Sequence, residues 1–223
     1  MMGPVERLPH GYTNRTRRLG AVIEKTYDGP ARHANARRER DSLSALSDRL
    51  PVPTILQTDR TVPSISLSFM PGVHGQDLIA AGHARQVLRL VGTTARALQR
   101  ISPSTTSGLS GDGSVMVHGD FGPQNMLFDL DQDRVTGILD WESAHLGDSV
   151  EDLAWAEWII RMHHPDAIDE LDALFVGAQQ HPPWIARHDA MLRRVRDVLA
   201  YCERANQPSD WQQRLDRTER WTE

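Results

Sequence analysis

Three short apolar runs in the middle of the chain constrain its fold most strongly. Residues 115–117, 126–128 and 135–139 are rich in valine, leucine, isoleucine and methionine, and a polar segment separates the second run from the third. Two such runs joined by a short polar loop are typical of a β-hairpin. The pattern therefore predicts a strand that leads into a hairpin at the centre of the molecule.

The open end of this hairpin is predicted to carry oxygen ligands. If residues 131–134 form the loop, Asn125 lies opposite Asp140, and directly opposed side chains start about 4.5–5.5 Å apart at Cβ. Amide and carboxylate oxygens suit Mg²⁺, which completes its octahedron with water and phosphate oxygens. Asp120 precedes Asn125 by five residues, in a loop that leaves a strand through His118. Phosphoryl transfer requires a carboxylate beside the two residues that bind the metal, because this carboxylate can accept the proton of the attacking hydroxyl.

The segment from His118 to Asn125 reads His-Gly-Asp, four residues, Asn. It resembles the aminoglycoside phosphotransferase and choline kinase group of small-molecule kinases, and chance would produce the spacing in about one chain in a thousand. The resemblance implies a two-lobed, protein-kinase-like α+β fold, with a small β-rich N-terminal lobe and a mostly helical C-terminal lobe. It implies ATP and Mg²⁺ as cofactors, Asp120 as catalytic base, His118 as a residue that orients the catalytic loop, and Asn125 and Asp140 as metal ligands.

Acidic residues near the hairpin have a second interpretation. Four of them match the first, third, fifth and twelfth places of a calcium-binding loop: Asp129, Asp131, Asp133 and Asp140. Such a loop needs glycine at the sixth place, where Arg134 stands, and leaves the alternating run at 135–139 unexplained. The hairpin is therefore the preferred interpretation. Glu142 is interpreted as a solvated loop charge, and Asp152, by resemblance, as the carboxylate that braces the catalytic loop.

The single lysine of the chain indicates a second functional position. Of 25 lysine and arginine residues only Lys25 is a lysine. This indicates that position 25 requires the compact ammonium of lysine rather than a guanidinium. Chance retention of one lysine is the alternative. Residues 34–50 have the apolar spacing of a helix, and Glu39 falls on its apolar face. Because a buried carboxylate needs a partner, we predict an ion pair between Lys25 and Glu39; a surface pair of Glu39 with Arg32 or Arg38 is the alternative. By resemblance, Lys25 would contact the phosphates of ATP.

The first 72 residues are predicted to form the ATP-binding lobe and to end in a hinge. Alternating apolar residues predict strands at 54–57 and 65–69, after which Pro71 and Gly72 break the sheet. The resemblance assigns the backbone of Phe69 and Met70 to adenine binding. Gly11 lies in a loop whose backbone amides could cover a phosphate, with a plain turn as the alternative.

Residues 73–223 are predicted to form the catalytic and acceptor-binding lobe. Apolar spacings of three and four residues predict helices at Ala84–Ile101, Ala167–Gln180 and Trp184–Ala205. A segment that is apolar on nearly every face predicts a buried helix at Val150–Met162, and a short helix is expected at Ser209–Trp221. Ten of the residues from Asp140 to Asp172 are acidic and only Arg161 is a basic Lys or Arg, which favours a cationic small-molecule acceptor such as an aminoglycoside. Choline, ethanolamine, homoserine, a sugar amine, a macrolide, a peptide antibiotic and a kinase-like binding protein without turnover remain alternatives.

Composition excludes several other classes. A net charge of −5 gives no general affinity for nucleic acid, and no apolar run approaches the ~18 residues of a membrane span. The first residues lack the basic start and apolar centre of a signal peptide, which predicts a cytoplasmic enzyme. One cysteine excludes an internal disulfide and a cysteine-based zinc site. The oligomeric state is left open.

Overall fold

The computed structural model of the protein describes residues 6–7, 14–59, 61–102, 104, 108–205 and 208–223. Gly11, for which phosphate contact was predicted, lies outside these residues. The strands are β1 (Glu6–Arg7), β2 (Arg15–Leu19), β3 (Val22–Thr26), β4 (Ile55–Asp59), β5 (Ser64–Ser68), β6 (Val73–His74), β7 (Val115–Val117), β8 (Met126–Asp129), β9 (Arg134–Ile138) and β10 (His145–Gly147). The α-helices are α1 (Arg32–Leu46), α2 (Gly75–Ala80), α3 (Ala84–Gln99), α4 (Val150–His163), α5 (Asp172–Ala178), α6 (Trp184–Arg204) and α7 (Trp211–Glu219).

The first five strands form one antiparallel sheet in the order β1-β2-β3-β5-β4. Its alternation follows the sequence: Ile65 and Leu67 of β5 are buried, and the serines between and beside them are partly exposed, as expected for a sheet with one covered face. Helix α1 buries Leu43 and Leu46. This arrangement places the side chain of Lys25, on the central strand β3, beside α1.

The predicted hairpin forms from β8 and β9, but its register differs from the prediction. Met126 pairs with Ile138, whereas Phe128 pairs with Val135, so Thr136 is an extra residue on β9. Such a β-bulge puts two residues of one strand opposite one residue of the other. As a result the backbone of Asn125 bonds to Leu139, whose N–H donates to the Asn125 carbonyl at 2.8 Å, and the predicted pairing of Asn125 with Asp140 is wrong.

Two further strand pairings assemble the centre of the molecule. Strand β6 adds to the hairpin through β8, so the chain joins the catalytic region directly after Gly72. Strand β10 pairs with β7, which carries residues 141–144 back beside the loop that follows β7. The lobe boundary at Gly72 stays a prediction; β5, the last strand of the first sheet to appear in the chain, ends at Ser68, and β6 belongs to another sheet.

The helices of the second half largely follow the predicted apolar spacings. One difference is that the helix expected at 167–180 is divided into a 3₁₀ turn at Pro165–Glu170 and helix α5. Helix α3 packs closely on α5, where a Cβ on Gly92 would come within 1.9 Å of the Leu174 carbonyl oxygen. None of the helices in the described part of the chain combines the length and apolar character that crossing a bilayer needs.

Candidate active site

Lys25 connects three elements through its ammonium group. The Nζ atom lies 2.6 Å from Glu39 Oε2 on α1 and 2.5 Å from Asp140 Oδ1, which follows β9. The predicted ion pair with Glu39 is therefore present, and both partners are buried. Burial lowers the pKa of Lys25, but the carboxylates of Asp140, Glu39 and Glu142 more than offset it, so the net pKa lies above its ordinary value. The lysine is held as a cation inside an acidic site.

Tyr27 supports the same ion pair. It stands two residues after Lys25, donates its hydroxyl proton to Glu39 Oε2 at 2.5 Å, and is 1% exposed. Burial, followed by the charge of Glu39, raises the pKa of Tyr27 far above its usual range. The phenol therefore keeps its proton and acts as a donor to Glu39.

The loop after β7 is held by a carboxylate from helix α4. Asp152 accepts the backbone N–H groups of His118 at 2.9 Å and Gly119 at 3.1 Å. Gly119 has φ +81°, and a Cβ there would approach the Ser143 carbonyl oxygen to 2.5 Å, so only glycine fits between the two segments. The His-Gly-Asp sequence thus has a steric reason at its second residue.

His118 is fully buried, and both of its ring nitrogens are engaged. Its Nε2 lies 2.9 Å from the Leu139 carbonyl, and its Nδ1 accepts the backbone N–H of Asp120 at 3.2 Å. The ring also packs against Trp141, with centroids 4.4 Å apart. These contacts connect the loop to the end of β9, an arrangement that orients the loop.

Asp120 and Asn125 are in direct contact. The Asn125 amide nitrogen lies 2.8 Å from both the backbone carbonyl oxygen and Oδ2 of Asp120. The other carboxylate oxygen, Oδ1, accepts the indole N–H of Trp155 at 2.8 Å. Among the described residues, nothing donates a hydrogen bond to the Asn125 amide oxygen.

Asp140 begins the segment that carries the remaining carboxylates. It has φ +66°, a left-handed conformation that aspartate adopts more readily than most residues. Carboxylate oxygens of Glu39, Asp140 and Glu142 all lie within 4.8 Å of one another. The Lys25 ammonium lies 2.6, 2.5 and 3.9 Å from Glu39, Asp140 and Glu142 respectively. A carboxylate is the kind of hard oxygen donor that Mg²⁺ prefers, so Asp140 has the chemistry of its predicted role as a ligand.

Glu142 differs from the sequence interpretation. Its side chain is 14% exposed and accepts the Asn14 amide at 2.7 Å, with Lys25 3.9 Å away. Burial, followed by the charge of Asp140, raises the pKa of Glu142 to about 7. The interpretation as a solvated loop charge is therefore wrong, because β10 returns the segment to the interior instead of releasing it into solvent.

Phe69 and Met70, predicted to bind adenine, continue from β5. The backbone N–H of Phe69 donates to the Ala21 carbonyl at 2.9 Å, and the guanidinium of Arg18 lies 3.7 Å from the Phe69 ring centre. The Phe69 amide is thus used by the sheet, whereas its carbonyl and the Met70 backbone have no such contact among the described hydrogen bonds. Met70 lies beside Gly137 of the hairpin.

Tyr27, Glu142 and Trp155 were missed as contributors to this site. Tyr27 could have been found, because residues two apart on a strand share a face and Lys25 was already singled out. Trp155 has no local signal, since its contact with Asp120 spans 35 residues. Its position in a nearly all-apolar helix predicted only core packing.

Comparison with known proteins gives consistent matches. The model of the phosphotransferase enzyme family (APH) matches residues 4–115 and 109–188. The gentamicin complex of APH(2")-IIa is similar with a TM-score of 0.72 and 14% identity, and the match covers 98% of this chain and 90% of that chain. The GDP complex of aminoglycoside 2'-phosphotransferase-IIIa has a TM-score of 0.74 and 14% identity, with 98% of this chain and 92% of that chain covered. The macrolide 2'-phosphotransferase MphH from Brachybacterium faecium has a TM-score of 0.65 and 17% identity, with 98% of this chain and 93% of that chain covered.

A curated relative is much longer than this chain. The probable acyl-CoA dehydrogenase IBR3 of Arabidopsis thaliana is 32% identical over 99 residues, which are 44% of this chain and 11% of that protein. The solved structures show a shared fold and confirm the two-lobed, protein-kinase-like α+β class. The family match extends over most of the sequence, so the chain belongs to the phosphotransferase enzyme family.

Proposed function

We propose that this protein is an ATP- and Mg²⁺-dependent phosphotransferase that moves the γ-phosphoryl group of ATP to a hydroxyl group of a small molecule. The double contact of Lys25 with Glu39 and Asp140 carries this proposal. It joins the first sheet, helix α1 and the catalytic hairpin at one buried point. Kinase-type catalysis needs a lysine that is oriented by a glutamate and lies next to the metal-binding aspartate.

The proposed roles follow the contacts of each side chain. Lys25 binds the α- and β-phosphates of ATP, with Glu39 holding its ammonium in place, and the backbone at Phe69 and Met70 binds adenine. Asn125 and Asp140 hold Mg²⁺, which when bound neutralises charge on the phosphates.

The proton of the acceptor hydroxyl moves to the Asp120 carboxylate as the hydroxyl oxygen attacks the γ-phosphorus. The bond between that phosphorus and the β–γ bridging oxygen breaks, and ADP leaves with the bonding electrons. Each carboxylate oxygen of Asp120 accepts an N–H from Trp155 or Asn125, and an ionised carboxylate has further lone pairs with which to accept a proton. His118 is buried and holds the loop without exchanging protons with substrate.

Most of the acidic residues between Asp140 and Asp172 already have partners within the chain. Eight of the ten acidic residues that favoured a cationic acceptor bind groups of this chain: Asp140, Glu142, Asp148, Glu151, Asp152, Glu157, Glu170 and Asp172. Their number therefore does not by itself indicate an acidic cleft. Because similar structures contain aminoglycosides or belong to a macrolide phosphotransferase, both classes come first in the acceptor panel. A cytoplasmic location remains part of the proposal.

The proposal is tested by measuring ADP or GDP release from the Mg²⁺ complex of ATP or GTP with a panel of acceptors. The panel contains aminoglycosides, macrolides, choline, ethanolamine, homoserine, sugar amines and neutral alcohols. Release that depends on one acceptor class supports the phosphotransferase and identifies that class. Transfer to a neutral alcohol without transfer to any aminoglycoside contradicts the cationic acceptor. Nucleotide binding without release for any acceptor supports a kinase-like binding protein instead.

The base assignment is tested with Asp120→Asn. Since general-base catalysis contributes about 10²- to 10⁴-fold, we expect kcat to fall at least ~100-fold, with KM for MgATP within about twofold of wild type. Asp131→Asn, in the exposed hairpin loop, is the matched control and should leave both constants unchanged. Wild-type turnover in Asp120→Asn would remove Asp120 from the mechanism.

A further inference from the structure

Trp155 places a donor on the proposed catalytic base from a different part of the chain. Its indole N–H lies 2.8 Å from Asp120 Oδ1, and the residue is 4% exposed. Asn125 donates to Oδ2 of the same carboxylate at 2.8 Å. Gln124 Nε2 also lies 3.4 Å from Oδ1, a longer contact than that of Trp155. The two oxygens of Asp120 are therefore held by donors from two separate parts of the chain, helix α4 and the segment just before the hairpin.

The ring that carries this donor has a fixed position. Trp155 stacks on Trp158 with ring centres 4.4 Å apart and planes 3° apart, and Trp158 stacks in turn on Trp211 of α7. The guanidinium of Arg194 on α6 lies 5.6 Å from the Trp155 ring centre. An aromatic ring packed in this way has little freedom to turn, so the direction of its N–H is defined by three helices.

We infer that Trp155 is a positioning residue for phosphoryl transfer. Its indole N–H fixes the rotation of the Asp120 carboxylate, so that a carboxylate oxygen faces the acceptor hydroxyl. The terminal torsion of aspartate is soft, so contacts must set the orientation of the carboxylate. An indole N–H is a donor only and cannot take the proton itself. The inference rests on the proposed function, because it assumes that Asp120 is the base.

The competing explanation is that a buried indole N–H needs an acceptor and Asp120 is merely the nearest one. Trp158 offers a matched control for this explanation. It lies on the same helix, is fully buried, and donates its own indole N–H to Thr218 Oγ1 at 2.9 Å, away from Asp120. Phenylalanine at position 158 removes that buried N–H and keeps an aromatic face on which Trp155 can stack, whereas phenylalanine at position 155 removes the donor to Asp120.

The experiment compares Trp155→Phe, Trp158→Phe and Asp120→Asn by steady-state kinetics and thermal unfolding, with MgATP and the acceptor identified by the nucleotide-release panel, or with water as acceptor if none is identified. We expect Trp155→Phe to lower kcat about 10- to 100-fold, since small misplacement of a catalytic group is costly, with KM for MgATP within about twofold. Trp158→Phe should lower the unfolding temperature comparably while kcat stays within about threefold.

A fall in kcat for Trp155→Phe no larger than that for Trp158→Phe overturns the inference. If Trp155→Phe does not fold, benzothienylalanine at position 155 gives the same test, because it keeps the bicyclic ring and replaces the N–H by sulfur; the same analogue at position 158 is its control. Loss of activity in Asp120→Asn without a specific effect at Trp155 refutes this inference alone. Full activity in Asp120→Asn refutes the base assignment on which it rests.

Discussion

At the scale of single residues, the site is defined by groups that share partners. Glu39 Oε2 receives both the Lys25 ammonium and the Tyr27 hydroxyl, and Asp120 receives both Asn125 and Trp155. A shared acceptor fixes two donors relative to each other. Removing one donor is therefore expected to change the position of the remaining one as well as the number of bonds.

Tyr27→Phe tests this expectation at the lysine. The substitution keeps the buried ring and removes one hydrogen bond to a charged group. Such a bond contributes about 1.5–3 kcal/mol to folding stability. With Glu39 held by Lys25 alone, we expect KM for MgATP to rise about three- to tenfold and kcat to change less. Tyr201→Phe, the same chemical change on α6, is the control and should leave KM unchanged. An unchanged KM in Tyr27→Phe would show that Lys25 orients Glu39 without help.

At the scale of elements, a histidine and a glutamate join β10 to the start of α4. His145 Nε2 lies 2.9 Å from Glu151 Oε2, and the other carboxylate oxygen of Glu151 accepts the backbone N–H of Asp148. The hydrogen bond to Glu151 raises the pKa of His145 above its ordinary value of 6.5. The hydrogen bond from His145 is the main cause that lowers the pKa of Glu151 below 4.5. The pair is thus charged on both sides over part of the acid range.

The pair predicts a pH-dependent contribution to stability. Because folding raises the pKa of His145, its contribution to folding stability is complete below pH 6.5 and is lost as the pH rises through the pKa of the folded state. Because folding lowers the pKa of Glu151, its contribution is complete above pH 4.5 and is lost as the pH falls through the pKa of the folded state. Stabilisation from the pair is therefore largest between about pH 4.5 and 6.5. Both side chains are 32% exposed, so we expect only about 0.5 kcal/mol.

Unfolding free energies at about pH 5.5 and pH 8, measured for wild type and His145→Gln, check this contribution. The variant should be less stable than wild type at the lower pH, and the difference should shrink at the higher pH. Arg196→Gln breaks an ion pair with Glu219 of similar length, 3.0 Å, that contains no histidine; it should show no such pH dependence. A difference between His145→Gln and wild type that grows with pH would contradict the assignment.

Elements also show how far the sequence could lead. The Lys25–Glu39 pair was predictable, because the chain has one lysine and a helix with one carboxylate on its apolar face. The register of the hairpin was not, because nothing in residues 134–138 distinguishes a regular strand from one with an extra residue. Glu142 and Trp155 depend on the pairing of β10 with β7 and on the packing of α4, and such long-range contacts leave no periodic signal in the sequence.

At the scale of the whole molecule, the proposed nucleotide site joins the two lobes. Lys25 and Glu39 come from the first sheet and α1, whereas Asp140 follows the hairpin. A ligand that binds residues from both sides stabilises the folded chain by mass action, by about 2.7 kcal/mol at 100 times its Kd. MgATP at that concentration should raise the unfolding temperature by roughly 5–10 °C for a chain of this size.

Removal of the metal by excess EDTA should abolish most of this thermal shift, and Asp140→Asn should reduce it in the presence of Mg²⁺. Asp133→Asn is the matched control, because Asp133 lies in the same hairpin and has the same left-handed backbone, with φ +49° against +66° for Asp140; it should keep the full shift. A shift that is equally large with EDTA would separate nucleotide binding from the metal and contradict the assignment of Asp140 as a ligand.

The extra residue in β9 determines which side chains the far end of that strand delivers to the lysine. Thr136 has no partner on β8, so the pairing shifts by one step between Phe128–Val135 and Leu127–Gly137. Without that step, Ile138 rather than Leu139 would lie opposite Asn125, and Asp140 would lie one residue further along the strand. Inserting one residue into β8 opposite Thr136 would give Thr136 a partner and remove the bend that a bulge produces, whereas an insertion in the exposed loop at 130–133 would leave the pairing as it is. Insertions in this hairpin are therefore not equivalent, although neither alters a charged residue.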